Sequence, residues 1–248
     1  MDRYGPETYG EQIADVYDTW HAGMDPAATV DVLASLAGPG PGPVLELGIG
    51  TGRVAIPLAE RGLEVHGIDA SPAMVEQMRA KPGGGGIDVT FGHLADVAVD
   101  RSFSLVFVVF NTFFALLTQD DQVRCFANVA RRLVPGGCFS LEGFVPDVAR
   151  FDRGQRVHVI DLDIDRVRLD VSVHRPVEQR VDAQHVVITG DGVRLVPVAL
   201  RYAWPSELDL MARLAGLRLR HRWGGWNREP FDDGSQKHVS VYEKPPSS

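Results

Sequence analysis

The pattern of hydrophobic and polar positions changes twice along the chain, and each change marks a different kind of predicted structure. In the first ~37 residues, Ile13, Val16 and Trp20 recur at helical spacing, and a second helix is predicted at 27–36. A Gly-Pro cluster at 38–43 ends this helix. The sequence therefore predicts a helical segment at the N-terminus.

From Val44 onwards, short β-rich runs alternate with amphipathic helices. The predicted strands are 44–47, 63–68, 87–91, 103–110 and 138–144, and the predicted helices are 53–61, 72–80 and 121–133. This alternation is typical of βαβ units in a parallel sheet with helices on both faces. The run 105–110 is continuously apolar, which indicates a strand that is buried on both faces.

After Pro146 the pattern changes again and predicts antiparallel strands. Alternating segments at 157–164, 167–173, 181–188 and 193–202 are separated by Asp, Gly and Pro turns, which favours a meander. A helix is predicted at 206–215, with Ser206 as its N-cap and Gly216 as its C-cap. The last two predicted strands are 217–223 and 238–242.

The fold predicted from these elements is α/β: a doubly wound, mostly parallel seven-stranded sheet with an N-terminal helical cap and an antiparallel β insertion after strand five. We expect the cap at 1–42, the core at 43–146 plus 203–248, and the insertion at 147–202. Ligands of open α/β sheets bind at the carboxyl ends of the strands. The cap and the insertion are expected to roof that edge.

Composition and charge exclude several classes of protein. The 248 residues are 44% hydrophobic and 23% charged, which is the profile of an ordinary globular chain. The formal charge of −8 disfavours a nucleic-acid partner. Two cysteines, Cys125 and Cys138, fit neither a disulfide framework nor a metal site. A polar N-terminus and the lack of an apolar run of ~20 residues predict a cytoplasmic chain without a membrane partner.

The sharpest chemical signal is a glycine-rich turn after the first predicted strand. Residues 44–53 read VLELGIGTGR, so Gly48, Gly50 and Gly52 follow Glu46 where a strand passes into a helix. Glycines allow positive φ and let a ligand approach the backbone. A dinucleotide fingerprint would need glycine at the position of Arg53. Glu46 would repel a pyrophosphate and attract a cationic ammonium.

A second acid, Asp69, ends the second predicted strand. An acid at this place accepts hydrogen bonds from the hydroxyls of an adenosyl ribose. Alternatively, Asp69 interacts with the N-terminus of the helix that begins at Pro72. Ser71 can cap that helix alone, so the sequence favours Asp69 as a ligand-binding residue.

With these motifs, most of the chain resembles the class I, Rossmann-like S-adenosylmethionine-dependent methyltransferases. The resemblance is carried by the segments 45–52, 67–74, 110–112 and 133–137. The N-terminal helix and the β insertion are similar to the bacterial small-molecule branch, which contains glycine and sugar-amine N-methyltransferases and natural-product tailoring enzymes. The resemblance implies S-adenosyl-L-methionine as cofactor and a small-molecule acceptor that is methylated at N, O or an electron-rich C.

The resemblance also implies the cofactor site. The glycine turn would hold the methionyl group with Glu46 on its amino side, and Asp69 would bind the ribose. Tyr9 and Tyr17 either close the site or pack an amphipathic helix. The expected cofactor-binding residues are Tyr9, Tyr17, Glu46, Gly48, Gly50, Thr51, Gly52, Arg53, Asp69, Ala70, Met74, His93, Leu94, Phe110 and Asn111.

Adenine recognition departs from the pattern of many relatives, which carry Gly-Asp after strand three. This chain reads FGHLAD at 91–96. A neutral ring nitrogen of His93 can accept the bond from the adenine amino group, with the Leu94 amide pairing to the ring edge. Alternatively, Asp96 serves as the acceptor. The sequence favours His93 and Leu94.

The acceptor pocket is expected among aromatic residues near the mouth of the crevice, namely Phe113, Phe114, Phe144, Trp223 and Trp226. These rings favour an apolar or aromatic acceptor, although they are also ordinary core residues. The candidate catalytic residues are Glu142, His158 and His174. Their alternatives are a solvated strand-end carboxylate and two histidines on a sheet surface. A base is required only if the acceptor must lose a proton.

Two other functions share parts of the pattern. A nicotinamide-dependent oxidoreductase has the same fold, but Arg53 and Glu46 disfavour it. A non-catalytic cofactor-binding module is compatible with the lack of an obvious base. For the assembly, the sequence leaves a monomer or a homodimer open.

Overall fold

The computed structural model describes residues 3–38 and 42–246. Its helices are α1 Thr8–Ile13, α2 Tyr17–Trp20, α3 Ala27–Ala37, α4 Ala55–Glu60, α5 Pro72–Arg79, α6 Gln119–Arg132 and α7 Pro205–Leu214. Its strands are β1 Val44–Leu47, β2 Val65–Asp69, β3 Asp88–Phe91, β4 Phe103–Val108, β5 Leu133–Phe144, β6 Gln155–Leu162, β7 Arg166–Arg175, β8 Arg180–Thr189, β9 Gly192–Arg201, β10 Arg218–Trp223 and β11 Lys237–Glu243.

The main sheet has the order β10-β11-β5-β4-β1-β2-β3. Strands β1 to β5 pair in parallel, and β11 is antiparallel to both β5 and β10. This confirms the predicted mostly parallel, seven-stranded sheet. The chain leaves β1 for β2 on one side and β4 lies on the other, so the strand order reverses at β1. Ligands of such sheets bind beside this reversal.

Strand β4 shows why the sheet needs a continuous apolar run. Leu105 and Phe107 pack in one buried cluster with residues of α3, α4 and α5. Val106 and Val108 pack in the other cluster, with residues of α6 and α7. Because successive side chains point to opposite faces, the part of a strand that lies between two helix layers is apolar on both faces, as residues 105–108 are.

The insertion forms a separate four-stranded sheet in the order β6-β7-β8-β9, all antiparallel, as the sequence predicts. One face of β8 and β9 is buried through Val181, Ala183 and Val196. Val196 packs in a cluster with Ile13 of α1. The N-terminal segment and the insertion therefore meet each other over the main sheet.

Several local predictions are corrected by the structure. Trp204, and not Ser206, is the N-cap of α7, because Pro205 occupies its first turn. Strand β4 ends at Val108, since Phe110 and Asn111 have φ of 56° and 65°. The predicted N-terminal helix is divided into α1 and α2.

The proposed division of the chain into cap, core and insertion stays a prediction. Parts of it, and of the Gly-Pro cluster, fall on residues 1–2, 39–41 and 247–248, which lie outside the described residues. In the ranges 3–38 and 42–246, no helix combines the length and hydrophobicity required to cross a membrane. Cys125 and Cys138 are buried free thiols.

Arg201 at the end of β9 ties the insertion to the core. Its guanidinium donates to Gln122 Oε1 at 2.6 Å and to Glu207 Oε1 at 2.8 Å, and its side chain is 6% exposed. We expect Arg201→Met to lower the free energy of unfolding in urea by about 3 kcal/mol, because it removes a buried cation and leaves the half-buried Glu207 carboxylate and the buried Gln122 amide without their shared donor. Arg175→Gln breaks an exposed pair and should cost less than about 1 kcal/mol. Equal losses in the two variants would contradict the role given to Arg201.

Candidate functional site

A cavity of about 500 Å³ lies at the carboxyl ends of β1, β2 and β4. Residues of the N-terminal segment, β8 and β9 form its other wall. The volume lies within the ~300–1,000 Å³ of typical small-molecule sites. All of the predicted cofactor-binding residues except Gly52 line this cavity.

Glycine is required in the turn for steric reasons. Gly48 has a φ of 75°, and a Cβ there would lie 2.4 Å from Thr112 Cγ2. Gly52 has a φ of 78°, and a Cβ there would lie 2.6 Å from Met78 Cγ. Gly52 therefore serves the packing of the turn on α5, while the backbone at 48–51 faces the cavity.

Glu46 presents a buried carboxylate to the cavity. The residue is 2% exposed, and desolvation raises its pKa well above the ordinary range, with Asp69 adding to the rise and Arg53 opposing it. Within the described part of the chain, Glu46 Oε2 has no hydrogen-bond partner. An orphaned carboxylate oxygen in a cavity fits a cationic ligand group such as an ammonium.

Arg53 supplies the opposite charge at the same end of the cavity. Its guanidinium lies 5.2 Å from the centroid of the Phe110 ring. Among the residues that the structure describes, no ion pair within 4.0 Å includes Arg53. Glu46 and Arg53 together therefore match the ammonium and the carboxylate of an amino-acid head group.

Asp69 lies at the end of β2, where its carboxylate is fixed by the backbone. Its Oδ2 accepts from Gly50 N at 2.7 Å and its Oδ1 from Ser71 N at 2.8 Å. Burial raises its pKa although these bonds act in the other direction. Ser71 caps α5 by accepting from Met74 N, as expected. Each Asp69 oxygen keeps a further lone pair, so the carboxylate can still accept from a diol.

Phe110 and Asn111 form a strained wall of the cavity. Non-glycine residues at positive φ cost about 1–3 kcal/mol each and persist where long-range contacts hold them. Here Phe110 N donates to Glu142 Oε2, and Phe144 N donates to Asn111 Oδ1, each at 2.8 Å. Glu142 does not line the cavity. The structure therefore gives this candidate base a role in holding the backbone.

The N-terminal segment is fixed over the cavity by polar contacts. Asp18 accepts from Thr51 Oγ1 at 2.7 Å and pairs with Lys81 at 2.6 Å. Glu11 accepts from Ser71 Oγ at 2.7 Å. Tyr9 and Tyr17 belong to this segment and line the cavity. Burial raises the pKa of both phenols. Both are therefore protonated hydrogen-bond donors at neutral pH.

His93 and Leu94 line the end of the cavity beside β2 and β3. Asp96, the alternative acceptor for adenine, pairs with Arg124 at 3.2 Å and does not line the cavity. Of the residues considered for adenine recognition, His93 and Leu94 therefore lie at the cavity and Asp96 does not.

The five aromatic residues expected around the acceptor lie outside the cavity, which corrects their predicted placement. Phe113 and Phe114 are buried in the cluster below α6, and Phe144 packs edge-on against Phe114 at 4.9 Å. Trp226 is buried in the cluster that contains α3, and Trp223 stacks on His221 of the edge strand β10. None of these five residues lines the cavity.

The two histidine candidates from the insertion are also outside the cavity. His158 is exposed on β6. His174 stacks on Phe151 at 4.7 Å and lies 2.8 Å from the Tyr202 hydroxyl. Both residues therefore match the alternative interpretation of the sequence, in which they are histidines on a sheet surface.

The structure adds cavity residues that the sequence reasoning missed, above all Tyr4, His21, His185, Val198 and Leu200. His21 stands four residues after Tyr17, so its position on the same helical face was a usable signal. His185, Val198 and Leu200 share one face of the β8–β9 pair. Only the docking of the insertion shows that this face meets the cavity.

Comparison with known proteins gives consistent results. Residues 44–137 match the family described as a methyltransferase domain. The CcbJ methyltransferase from Streptomyces caelestis is 42% identical, with a TM-score of 0.90 over 98% of this chain and 100% of that chain. The cypemycin N-terminal methyltransferase from a Streptomyces species is 27% identical over 243 residues, 96% of this chain and 98% of that protein. The S-adenosylmethionine-bound structure of CalS10 from Micromonospora echinaspora, at 20% identity, shares the fold with a TM-score of 0.69 over 92% of this chain and 96% of that chain.

Proposed function

The chain belongs to the class I S-adenosylmethionine-dependent methyltransferases, and we propose that its acceptor is an amine on a small, largely apolar natural product. The observation that supports the methyl-donor site is the grouping of the buried Glu46 oxygen, Arg53 and Asp69 around one cavity. A relative across nearly the whole chain, the cypemycin N-terminal methyltransferase, is named for methylation at an amino terminus. The formal charge of −8 supports a small acceptor over a nucleic acid.

We assign the cofactor contacts from the geometry of the cavity. Glu46 would hold the methionyl ammonium and Arg53 the methionyl carboxylate. Asp69 would accept from the ribose hydroxyls, and His93 with Leu94 would face the adenine. When bound, S-adenosylmethionine supplies an electrophilic methyl group on a sulfonium.

In the proposed reaction, the protein positions the acceptor and excludes water from the reacting atoms. Leu117, Val198 and Leu200 line the part of the cavity that the cofactor contacts leave for an acceptor, and these side chains are apolar. An apolar wall keeps water away from the reacting atoms and strengthens the polar contacts that remain. Holding the acceptor nitrogen at the required distance and direction removes much of the entropic barrier to methyl transfer.

The proposal is tested by binding and then by transfer. We expect the full chain to bind S-adenosylmethionine and its demethylated product with micromolar affinity in calorimetry. Incubation with labelled methyl donor and matched amine, phenol and carboxylic acid acceptors should then label the amines. A folded protein that binds neither cofactor form would contradict the cavity assignment. Labelling of phenols alone would overturn the amine acceptor and leave the methyltransferase activity intact.

A further inference from the structure

His21 occupies the junction between the cofactor end and the insertion end of the cavity. Its ring lies edge-on to Phe110 at 5.2 Å between centroids, and the Arg53 guanidinium lies against the same Phe110 ring. On the other side, Trp20 lies beside His185 of β8 at 6.4 Å and beside Arg168 of β7 at 4.9 Å. A group that acts between methyl donor and acceptor has to stand at this junction.

The hydrogen bonds of His21 fix its tautomer. Nδ1 lies 2.8 Å from the carbonyl oxygen of Tyr17. A carbonyl oxygen can only accept, so Nδ1 carries the proton and Nε2 of the neutral ring carries a lone pair. Within the ranges that the structure describes, no protein group forms a hydrogen bond with His21 Nε2. His21 lines the cavity, so this lone pair is available to a ligand.

Burial and two nearby cations favour the neutral ring of His21. Burial lowers the pKa of His21, and the cations of Arg53 in the glycine turn and Arg168 on β7 act in the same direction. Asp18 opposes them, and the backbone bond to Tyr17 also favours the protonated ring. His185 on β8 faces the same space, and its pKa is also lowered by burial. At neutral pH the imidazole of His21 is therefore uncharged.

The other polar groups of the cavity are less suited to accept a proton from the acceptor. Tyr9 and Tyr17 hold their protons because burial raises their pKa. His185 Nε2 lies 3.5 Å from Asp170, so that nitrogen faces a carboxylate. Glu46 and Asp69 are assigned to the cofactor. His21 combines a neutral ring, a fixed tautomer and an open Nε2.

We infer that His21 Nε2 takes the proton from the ammonium form of the acceptor, an inference that rests on the proposed amine methylation. The N–H bond of the ammonium breaks and its proton moves to Nε2. The freed nitrogen lone pair forms the bond to the methyl carbon, while the carbon–sulfur bond breaks and leaves its electron pair on sulfur. The resulting imidazolium keeps its Nδ1–H bond to Tyr17 O and later releases the Nε2 proton to solvent.

Sinefungin provides a probe that needs no acceptor, since it carries an amine where S-adenosylmethionine carries its methyl group. In calorimetry at about pH 8, where a histidine of ordinary pKa is neutral, the wild type should bind sinefungin more tightly than S-adenosylhomocysteine. His21→Phe keeps an aromatic ring on Phe110 but lacks the lone pair. It should weaken sinefungin binding about tenfold and leave S-adenosylhomocysteine binding within about twofold. His158→Phe, on the exposed strand β6, is the matched control and should change neither affinity.

The outcomes separate the inference from the function on which it rests. Unchanged sinefungin binding by His21→Phe, or equal losses for both compounds, would overturn the role of Nε2. Failure of the wild type to bind S-adenosylhomocysteine would overturn the proposed cofactor contacts and the inference together. If His21→Phe does not fold, ¹⁵N spectra of histidine-labelled wild type decide the matter. They should show a protonated Nδ1 and a free Nε2 that shifts when sinefungin binds, and the opposite tautomer would contradict the inference.

Discussion

Asp69→Ala is expected to weaken S-adenosylhomocysteine binding at least about 100-fold, because a hydrogen bond to a charged group contributes about 1.5–3 kcal/mol and the ribose offers two. The substitution also leaves Gly50 N and Ser71 N without the acceptor that orients the glycine turn. The site thus loses both a ligand contact and the support of its backbone. Isothermal calorimetry on the folded variant measures the loss.

Two further variants separate these effects of Asp69. Asp69→Asn keeps an oxygen for one backbone N–H but removes the charge, so we expect a loss smaller than that of Asp69→Ala. Asp88→Ala removes an exposed acid from the neighbouring strand β3 and should leave binding unchanged. Binding by Asp69→Ala within about tenfold of the wild type, with unchanged thermal stability, would place the ribose elsewhere.

The sequence predicts the order and type of the main elements because their signals are local. The two-sided burial of β4 and the alternation in β6 to β9 follow directly from side-chain period and apolar content. The end of β4 is different. Apolar residues continue to Phe110, but Phe110 and Asn111 adopt positive φ. On β5, Glu142 accepts from Phe110 N, and Phe144 N donates to the Asn111 side chain. Contacts from a distant strand leave no trace in the local pattern.

The same distinction explains which site residues are predictable. Glu46 and Asp69 lie towards the ends of β1 and β2, and Gly48 lies in the turn that follows β1. Neighbouring residues mark these positions in the sequence, and all three residues line the cavity. His185 and Leu200 reach it only because one face of the insertion docks over α1 and the main sheet. The aromatic character of Trp223 and Trp226 does not reveal which face of the main sheet they pack on. In the structure, both belong to or pack against the buried cluster that contains α3. The docking of the insertion therefore determines which residues line the end of the cavity proposed for the acceptor.

The buried Glu46 carboxyl lowers the stability of the ligand-free protein at neutral pH. Its raised pKa means that the folded chain holds a proton on this carboxyl at pH values where the unfolded chain has lost it. Stability therefore falls as the pH rises above the ordinary glutamate range, and this cost is absent at low pH, where both states are protonated. A cationic ligand reverses the preference, because an ammonium stabilises the ionised carboxylate.

Glu46→Gln should accordingly raise the free energy of unfolding of the ligand-free protein at neutral pH and weaken S-adenosylmethionine binding about 10- to 100-fold. Glutamine keeps an oxygen for the Ala55 N–H and has no charge to desolvate. In the wild type, binding should release a proton and tighten as the pH rises, whereas the variant should show neither effect. Urea denaturation and calorimetry in two buffers of different ionisation enthalpy measure both, with the exposed Glu60→Gln as control. Proton release that persists in Glu46→Gln, or binding as tight as that of the wild type, would show that another group receives the methionyl ammonium.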